Sequence, residues 1–160
     1  SKQIILKKKY FLSIGRFTKQ KNYLYYLNCI PEILKLDKEL YFLFIGQGED
    51  KKKFLKISNK LNISDRIFII NHTKNVHYFM KNANALVLPS LWEDPGFVLV
   101  EAAICNKLIL SSNVKNGPIE FVDNENNGIL YEKNDYKDFE KKFIYALNTS
   151  KNILIKISSE

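Results

Sequence analysis

Short apolar runs alternate with longer amphipathic stretches along the chain. Residues 10–15 read as a strand that ends in a glycine turn. Residues 22–36 read as a helix with Leu24, Leu27, Ile30 and Leu34 on one face, and Pro31 lies inside it, where proline kinks a helix. A continuous apolar strand over 40–45 is closed by Gly46-Gln47-Gly48. A charged helix over 49–61 buries Phe54, Ile57 and Leu61. Then come a strand over 66–70, a short helix over 76–81, a strand over 85–89 stopped by Pro89, and an apolar helix over 97–105. A strand over 107–112, a short helix over 119–122, a strand over 128–131 and an amphipathic helix over 135–147 complete the series, and the pattern from Ser150 onward specifies little. No internal repeat, low-complexity tract or linker interrupts it.

Strands that are apolar throughout, rather than alternating, are buried on both faces. Their alternation with helices predicts a parallel sheet of about six strands in a doubly wound, Rossmann-like α/β fold. The length, 160 residues, suits a single domain over 1–160. In such folds ligands bind beyond the carboxyl ends of the strands. The loops that matter therefore follow Ile14, Ile45, Ile70, Pro89 and Ser112.

The first loop carries Gly15, Arg16 and Lys21, and a helix begins just after them. Two cations converging on a helix N-terminus make an anion site, although the same residues also fit a solvated basic loop. The second loop resembles half of a dinucleotide fingerprint, with Gly48 as its second glycine and Lys51 where the third would stand. That argues against a dehydrogenase, and the absence of a Gly-Lys-Ser/Thr motif argues against a P-loop NTPase. The sharpest feature is Glu93-Asp94-Pro95-Gly96-Phe97-Val98-Leu99-Val100-Glu101. Glu101 interrupts an otherwise apolar helix, and a buried carboxylate needs protein donors or ligand hydroxyls around it. Gly96 lets a ligand approach the backbone, where the first N–H groups of the helix are free. Read structurally instead, Glu93 and Asp94 favour the positive helix end and Glu101 sits on an exposed edge.

The net charge is +8, carried almost wholly by lysine, with Arg16 and Arg66 the only arginines. Abundant Lys, Asn and Ile fit an AT-rich coding bias, and clusters such as 7–9 and 51–53 read as solvated faces. Two arginines are few for a nucleic-acid reader, and no zinc spacing, basic-region heptad or aromatic RNA-binding strand is present. No apolar run reaches the ~18 residues of a membrane span, and the start has no secretory signal. Ser1 in place of an initiator Met fits a segment cut from a longer chain. Cys29 and Cys105 sit in apolar settings, read as buried thiols of a reducing compartment.

The segment from Glu93 to Glu101 resembles the Glu-x7-Glu motif of family 4 (group 1) glycosyltransferases, retaining enzymes of the GT-B fold. The Gly15-Arg16-x4-Lys21 loop is similar to their diphosphate-binding loop. Residues 85–90, Gly117-Pro118-Ile119-Glu120 and Asn127-Gly128-Ile129-Leu130 match the family's order and spacing, so the likeness runs from about Tyr10 to Leu147. The resemblance implies that Arg16 and Lys21 hold the diphosphate of a nucleotide sugar and stabilise it as leaving group. It implies that Glu101 accepts from ribose hydroxyls and Glu93 contacts the donor sugar. The backbone of Gly96, Phe97 and Val98 would bind sugar and β-phosphate, and His72 would lie near the base pocket. No metal is expected, since no Asp-x-Asp motif occurs and the family is regarded as metal-independent.

Three departures stand out. The family's usual Glu-Gly-Phe-Gly is Glu93-Asp94-Pro95-Gly96 here, a stiffer and more acidic loop. Asn71 stands where the family often has glycine after its third strand. The resemblance covers what would be the family's carboxyl-terminal, donor-binding half, so an amino-terminal acceptor domain is expected outside these residues. The expectation is a hexosyl-type transferase that uses a UDP- or GDP-sugar and a glycan or lipid-linked acceptor in cell-surface polysaccharide biosynthesis. Alone, this half would transfer sugar weakly or not at all. The cytoplasm is its expected location, with lysine-rich faces able to meet the inner face of the cell membrane. The alternatives are a non-enzymatic basic module for nucleic acid or anionic membrane, and a degenerate transferase domain serving as scaffold.

Overall fold

The computed structural model describes residues 2–94, 96–123 and 126–159, with side chains between 3 and 149. Six parallel strands form one sheet: β1 (Lys9–Ile14), β2 (Leu40–Ile45), β3 (Ile67–Ile70), β4 (Ala85–Leu88), β5 (Ile109–Ser112) and β6 (Gly128–Tyr131), in the order β3-β2-β1-β4-β5-β6. The helices are α1 (Lys2–Leu6), α2 (Tyr23–Leu36), α3 (Lys51–Lys60), α4 (Val76–Asn82), α5 (Phe97–Ile104), α6 (Pro118–Phe121) and α7 (Tyr136–Ser159). This is the doubly wound arrangement that the apolar strands predict.

The sheet separates two cores. Phe11, Phe42, Phe44, Val87 and Leu110 face α2, α3 and α7. Tyr10, Leu12, Leu43, Leu86 and Leu88 face α1, α4 and α5. Neighbouring residues of one strand thus enter opposite cores, as the period of two requires. The order reverses between β1 and β4, and the crevice beyond such a reversal is where α/β sheets bind ligands.

Several boundaries differ from the sequence reading. The start of the chain forms α1, unforeseen in the pattern, and its Ile5 is fully buried. The strand expected over 66–70 begins at Ile67, because Ser64–Arg66 form a 3-10 turn that lays Arg66 over the Tyr41 ring. The last helix continues past 147 to Ser159. Pro31 lies within α2, whose buried side is Tyr26, Leu27, Ile30 and Ile33, with Leu24 and Leu34 only partly covered. The basic clusters are not wholly solvated faces: Lys9 meets Asp37 at 2.5 Å, Lys8 lies over Tyr41, and Lys51 donates to Asn71. Cys29 is buried as expected, and burial pushes its thiol up to about 12, while Cys105 is only half-buried.

The entry to α7 carries a pH-sensitive contact. The Asp138 carboxylate accepts the Glu132 N–H at 2.6 Å and Lys142 Nζ at 3.1 Å. The backbone bond to Glu132 holds its pKa below the ordinary 3.8, with Lys142 adding to it. A depressed folded-state pKa stabilises the fold above the unfolded value, and the gain is lost as pH falls through the folded one. Denaturant midpoints measured from about pH 5 down to about pH 2 should therefore fall less steeply for Asp138→Asn than for the parent. Parallel curves would remove Asp138 from the acid sensitivity.

Candidate functional site

The site is built where β1 and β4 end. After Ile14 the chain turns at Gly15, whose φ of +146° strains any side-chain-bearing residue. An added Cβ there would also lie 2.9 Å from Lys21 Cε. The loop then drops Phe17, fully buried, into a nest of rings: Tyr23 and Phe54 both at 5.1 Å, and Phe44 at 6.0 Å. Phe17 N–H donates to Gln47 O, and Phe17 O accepts from Asp50 N–H, both at 2.9 Å. Arg16 is thus presented outward from a loop pinned from beneath, while Lys21 turns in towards Glu93.

Gly48 packs against the first loop. A Cβ on it would collide with the Phe17 backbone, 2.7 Å from its nitrogen, and Gly46 is similarly pressed on Gly15. These glycines let the second loop pack backbone-to-backbone against the first. Gly48 supports the Arg16 loop from the side of β2.

The β4 loop meets this one through three contacts. Leu91 N–H donates to Gln20 O at 2.8 Å, and Gln20 Nε2 donates to Trp92 O at 3.1 Å. Lys21 Nζ reaches both oxygens of Glu93, at 2.8 and 3.1 Å. Ser90 Oγ donates to the same carboxylate at 2.5 Å, and Ser112 Oγ holds the Ser90 carbonyl at 2.6 Å. Glu93 is buried, so its charge is compensated by a fork from Lys21 and by a hydroxyl. The Tyr23 hydroxyl, also buried, has no hydrogen-bond partner in the described structure. Burial raises its pKa, and the nearby Glu93 charge raises it further.

Arg16, Thr18, Lys19, Gln20, Lys21, Glu49 and Trp92 line a cavity of about 430 Å³. Gly96 caps the start of α5, and a Cβ there would lie 3.3 Å from Glu93 Oε2. The first turn of a helix leaves its N–H groups without helical acceptors, which applies to Phe97 and Val98. Gly117 packs in as well: its Cβ would lie 3.6 Å from Gly96 N and 4.0 Å from Glu93 Cβ. Glu120 holds that loop by accepting from Gly117 N–H at 2.9 Å and Asn116 N–H at 3.3 Å. These contacts keep its carboxyl below the ordinary range, the Gly117 bond first among them.

Glu101 lies one turn into α5, half-buried, with no ion pair or hydrogen bond from its carboxylate to a described residue. His72 is elsewhere. It is exposed beyond the edge strand β3, on a cavity of about 520 Å³ shared with Lys51, Phe68 and Asn71. Pro95, and with it the expected stiffness of that loop, lies outside the described residues. Sequence reading did not single out Phe17, Gln20, Ser90 or Ser112. An aromatic between two basic loop residues, and serines at strand ends, were the available signals.

The cavity gathers Arg16, Lys19 and Lys21 beside a buried carboxylate and a free helix N-terminus, an arrangement suited to an anionic, hydroxyl-rich ligand. Comparison with known proteins gives the same direction. Residues 1–156 match the family described as glycosyl transferases group 1. An uncharacterised glycosyltransferase of Methanocaldococcus jannaschii is 30% identical over 145 residues, 84% of this chain and 35% of its own. The Escherichia coli UDP-Gal:alpha-D-GlcNAc-diphosphoundecaprenol alpha-1,3-galactosyltransferase is 30% identical over 133 residues, 81% of this chain and 34% of its own. The chain therefore spans about a third of the length of these relatives. Among solved structures, Staphylococcus aureus TarM superposes with a TM-score of 0.83 at 23% identity, over 88% of this chain and 29% of that one. With its family-wide match and its doubly wound sheet, the chain belongs to the group 1 glycosyltransferases of the GT-B fold.

Proposed function

We propose that this chain is the donor-binding domain of a retaining, hexosyl-type glycosyltransferase that takes a nucleotide-diphosphate sugar. The observation that carries the reading is the meeting of Arg16, Lys21 and Glu93 at the β1/β4 reversal. In this role Arg16 and Lys21 take the diphosphate. As the glycosidic bond breaks, negative charge grows on the leaving phosphate, and preorganised cations favour the transition state over the ground state. The N–H groups of Phe97 and Val98 add fixed positive ends, Glu93 takes sugar hydroxyls, and Glu101 takes the ribose. Lys21 and the α5 N-terminus serve where other systems use a divalent metal. His72 remains a candidate only for a base reaching towards β3.

The acceptor is a glycan or a lipid-linked sugar, held mainly by a preceding acceptor domain, and the isolated chain transfers sugar weakly. The Escherichia coli relative, named for a UDP-sugar and a diphosphoundecaprenol acceptor, supports a phosphate-bearing acceptor of this kind. No helix among the described residues is long and apolar enough to cross a membrane. We place the enzyme in the cytoplasm, with peripheral contact at the membrane that carries such an acceptor.

Calorimetry with UDP, GDP and ADP tests the reading. One of them should bind in the micromolar to millimolar range, with affinity unchanged by a chelator, and no binding to any would refute it. Arg16→Ala should weaken that binding by about 1.5–3 kcal/mol, the scale of a charge-assisted hydrogen bond. An unchanged affinity would take Arg16 out of the site.

A further inference from the structure

A second cavity, of about 320 Å³, also has Trp92 in its lining. Its walls include Trp92, Asn113, Lys115, Asn116, Ile119 and Lys133. These residues come from the loops after β4, β5 and β6 and from α6, which follows β5, so it opens at the same carboxyl edge of the sheet as the Arg16 cavity. Trp92 lines both cavities.

The chemistry of the walls is specific. Trp92 is 50% exposed and Ile119 46%, although large apolar side chains gain by burial. An indole offers an apolar face and an N–H donor together, which suits a sugar ring with its C–H face and hydroxyl rim. Lys115 and Lys133 form no ion pair among the described residues. Acids lie beside them: Lys115 is close enough to Glu120 to help the Gly117 N–H bond hold its carboxyl down, and Glu132 precedes Lys133 in the chain. Glu120 accepts the Gly117 and Asn116 N–H groups, and Glu132 accepts Asn113 Nδ2 at 2.7 Å. An exposed tryptophan on a cavity lined by two lysines, neither in an ion pair among the described residues, favours a sugar that carries a negative charge over a neutral one.

We infer that this cavity is an acceptor subsite for a phosphate-bearing sugar, with its ring against Trp92 and its phosphate between Lys115 and Lys133. The inference rests on the glycosyl-transfer reading and adds to it. Part of the acceptor is held by this domain, in a cavity that shares Trp92 with the donor cavity.

Trp92 is the chain's single tryptophan, so its fluorescence reports on the site directly. The 160-residue chain is titrated with glucose 6-phosphate, with methyl glucoside and with inorganic phosphate, followed by indole emission and by calorimetry, with and without saturating UDP. Glucose 6-phosphate should bind about tenfold tighter than methyl glucoside, the scale of two solvent-exposed charge pairs, and tighter than inorganic phosphate. Its binding should persist when UDP is bound. The double variant Lys115→Gln/Lys133→Gln should reduce the preference to within about twofold and leave UDP affinity unchanged. Competition by UDP would place the phosphate in the Arg16 cavity and overturn the inference. So would equal affinities for the two sugars, or no signal by either method while UDP still binds. Failure of UDP itself to bind would instead overturn the donor-site reading.

Discussion

Glu93→Ala should destabilise the fold by about 3 kcal/mol, towards the lower end for breaking a buried ion pair. The Glu93 side chain is 1% exposed and that of Lys21 16%, so the orphaned ammonium keeps a little access to water. Ser90 Oγ would lose its acceptor at the same time. The loss should appear as a lower denaturant midpoint. Glu93→Gln keeps the volume and one carbonyl oxygen facing Lys21, and should lose less. The two variants separate scaffold from chemistry. If Glu93 contacts the donor sugar, the Gln variant should bind the free nucleotide nearly as well as the parent yet lose most transfer in the full enzyme. A midpoint unmoved by the Ala variant would mean that the Lys21–Glu93 pair contributes nothing to the fold.

Phe17→Ala should cost about 3–5 kcal/mol, the range for emptying a buried aromatic position. Its ring touches Tyr23, Phe44 and Phe54, and among these Tyr23–Phe44 and Phe44–Phe54 meet edge to face at 5.2 and 4.8 Å. The cavity left behind lies directly beneath the Arg16 loop. Nucleotide affinity should therefore fall as well, although Phe17 faces away from the ligand. Phe17→Leu refills most of the space and should restore much of both properties. Nucleotide binding by Phe17→Ala equal to that of the parent at full occupancy of the folded state would show that the loop keeps its shape without the anchor.

Where reading the sequence worked, the physics was local. Strands such as Leu40–Ile45 and Gly128–Tyr131 were placed to the residue, because an unbroken apolar run bounded by turn residues has one good conformation in a two-faced sheet. Boundaries failed where a short-range signal was outweighed by packing. Ile4-Ile5-Leu6 alone is too short to be a stable helix, and it forms α1 only because Ile5 enters the core against Tyr10 and Leu12. Gly48, the second glycine of a half-fingerprint in the sequence, has another backbone lying against it, which by itself calls for glycine whether or not a ligand also approaches. No pattern of spacing distinguishes those two causes.

The order of elements, the parallel sheet and the candidate cations and carboxylates are determined by the sequence itself, since each follows from periodicity or from side-chain chemistry within a few residues. The tertiary structure decided which of them meet. It set Lys21 on Glu93 across 72 positions of chain, left the Glu101 carboxylate without a described partner, and placed His72 at the far edge of the sheet. It also made Trp92 a lining residue of two cavities. The reason is the reversal of strand order between β1 and β4. Two loops remote in sequence become neighbours only when the sheet has closed between them.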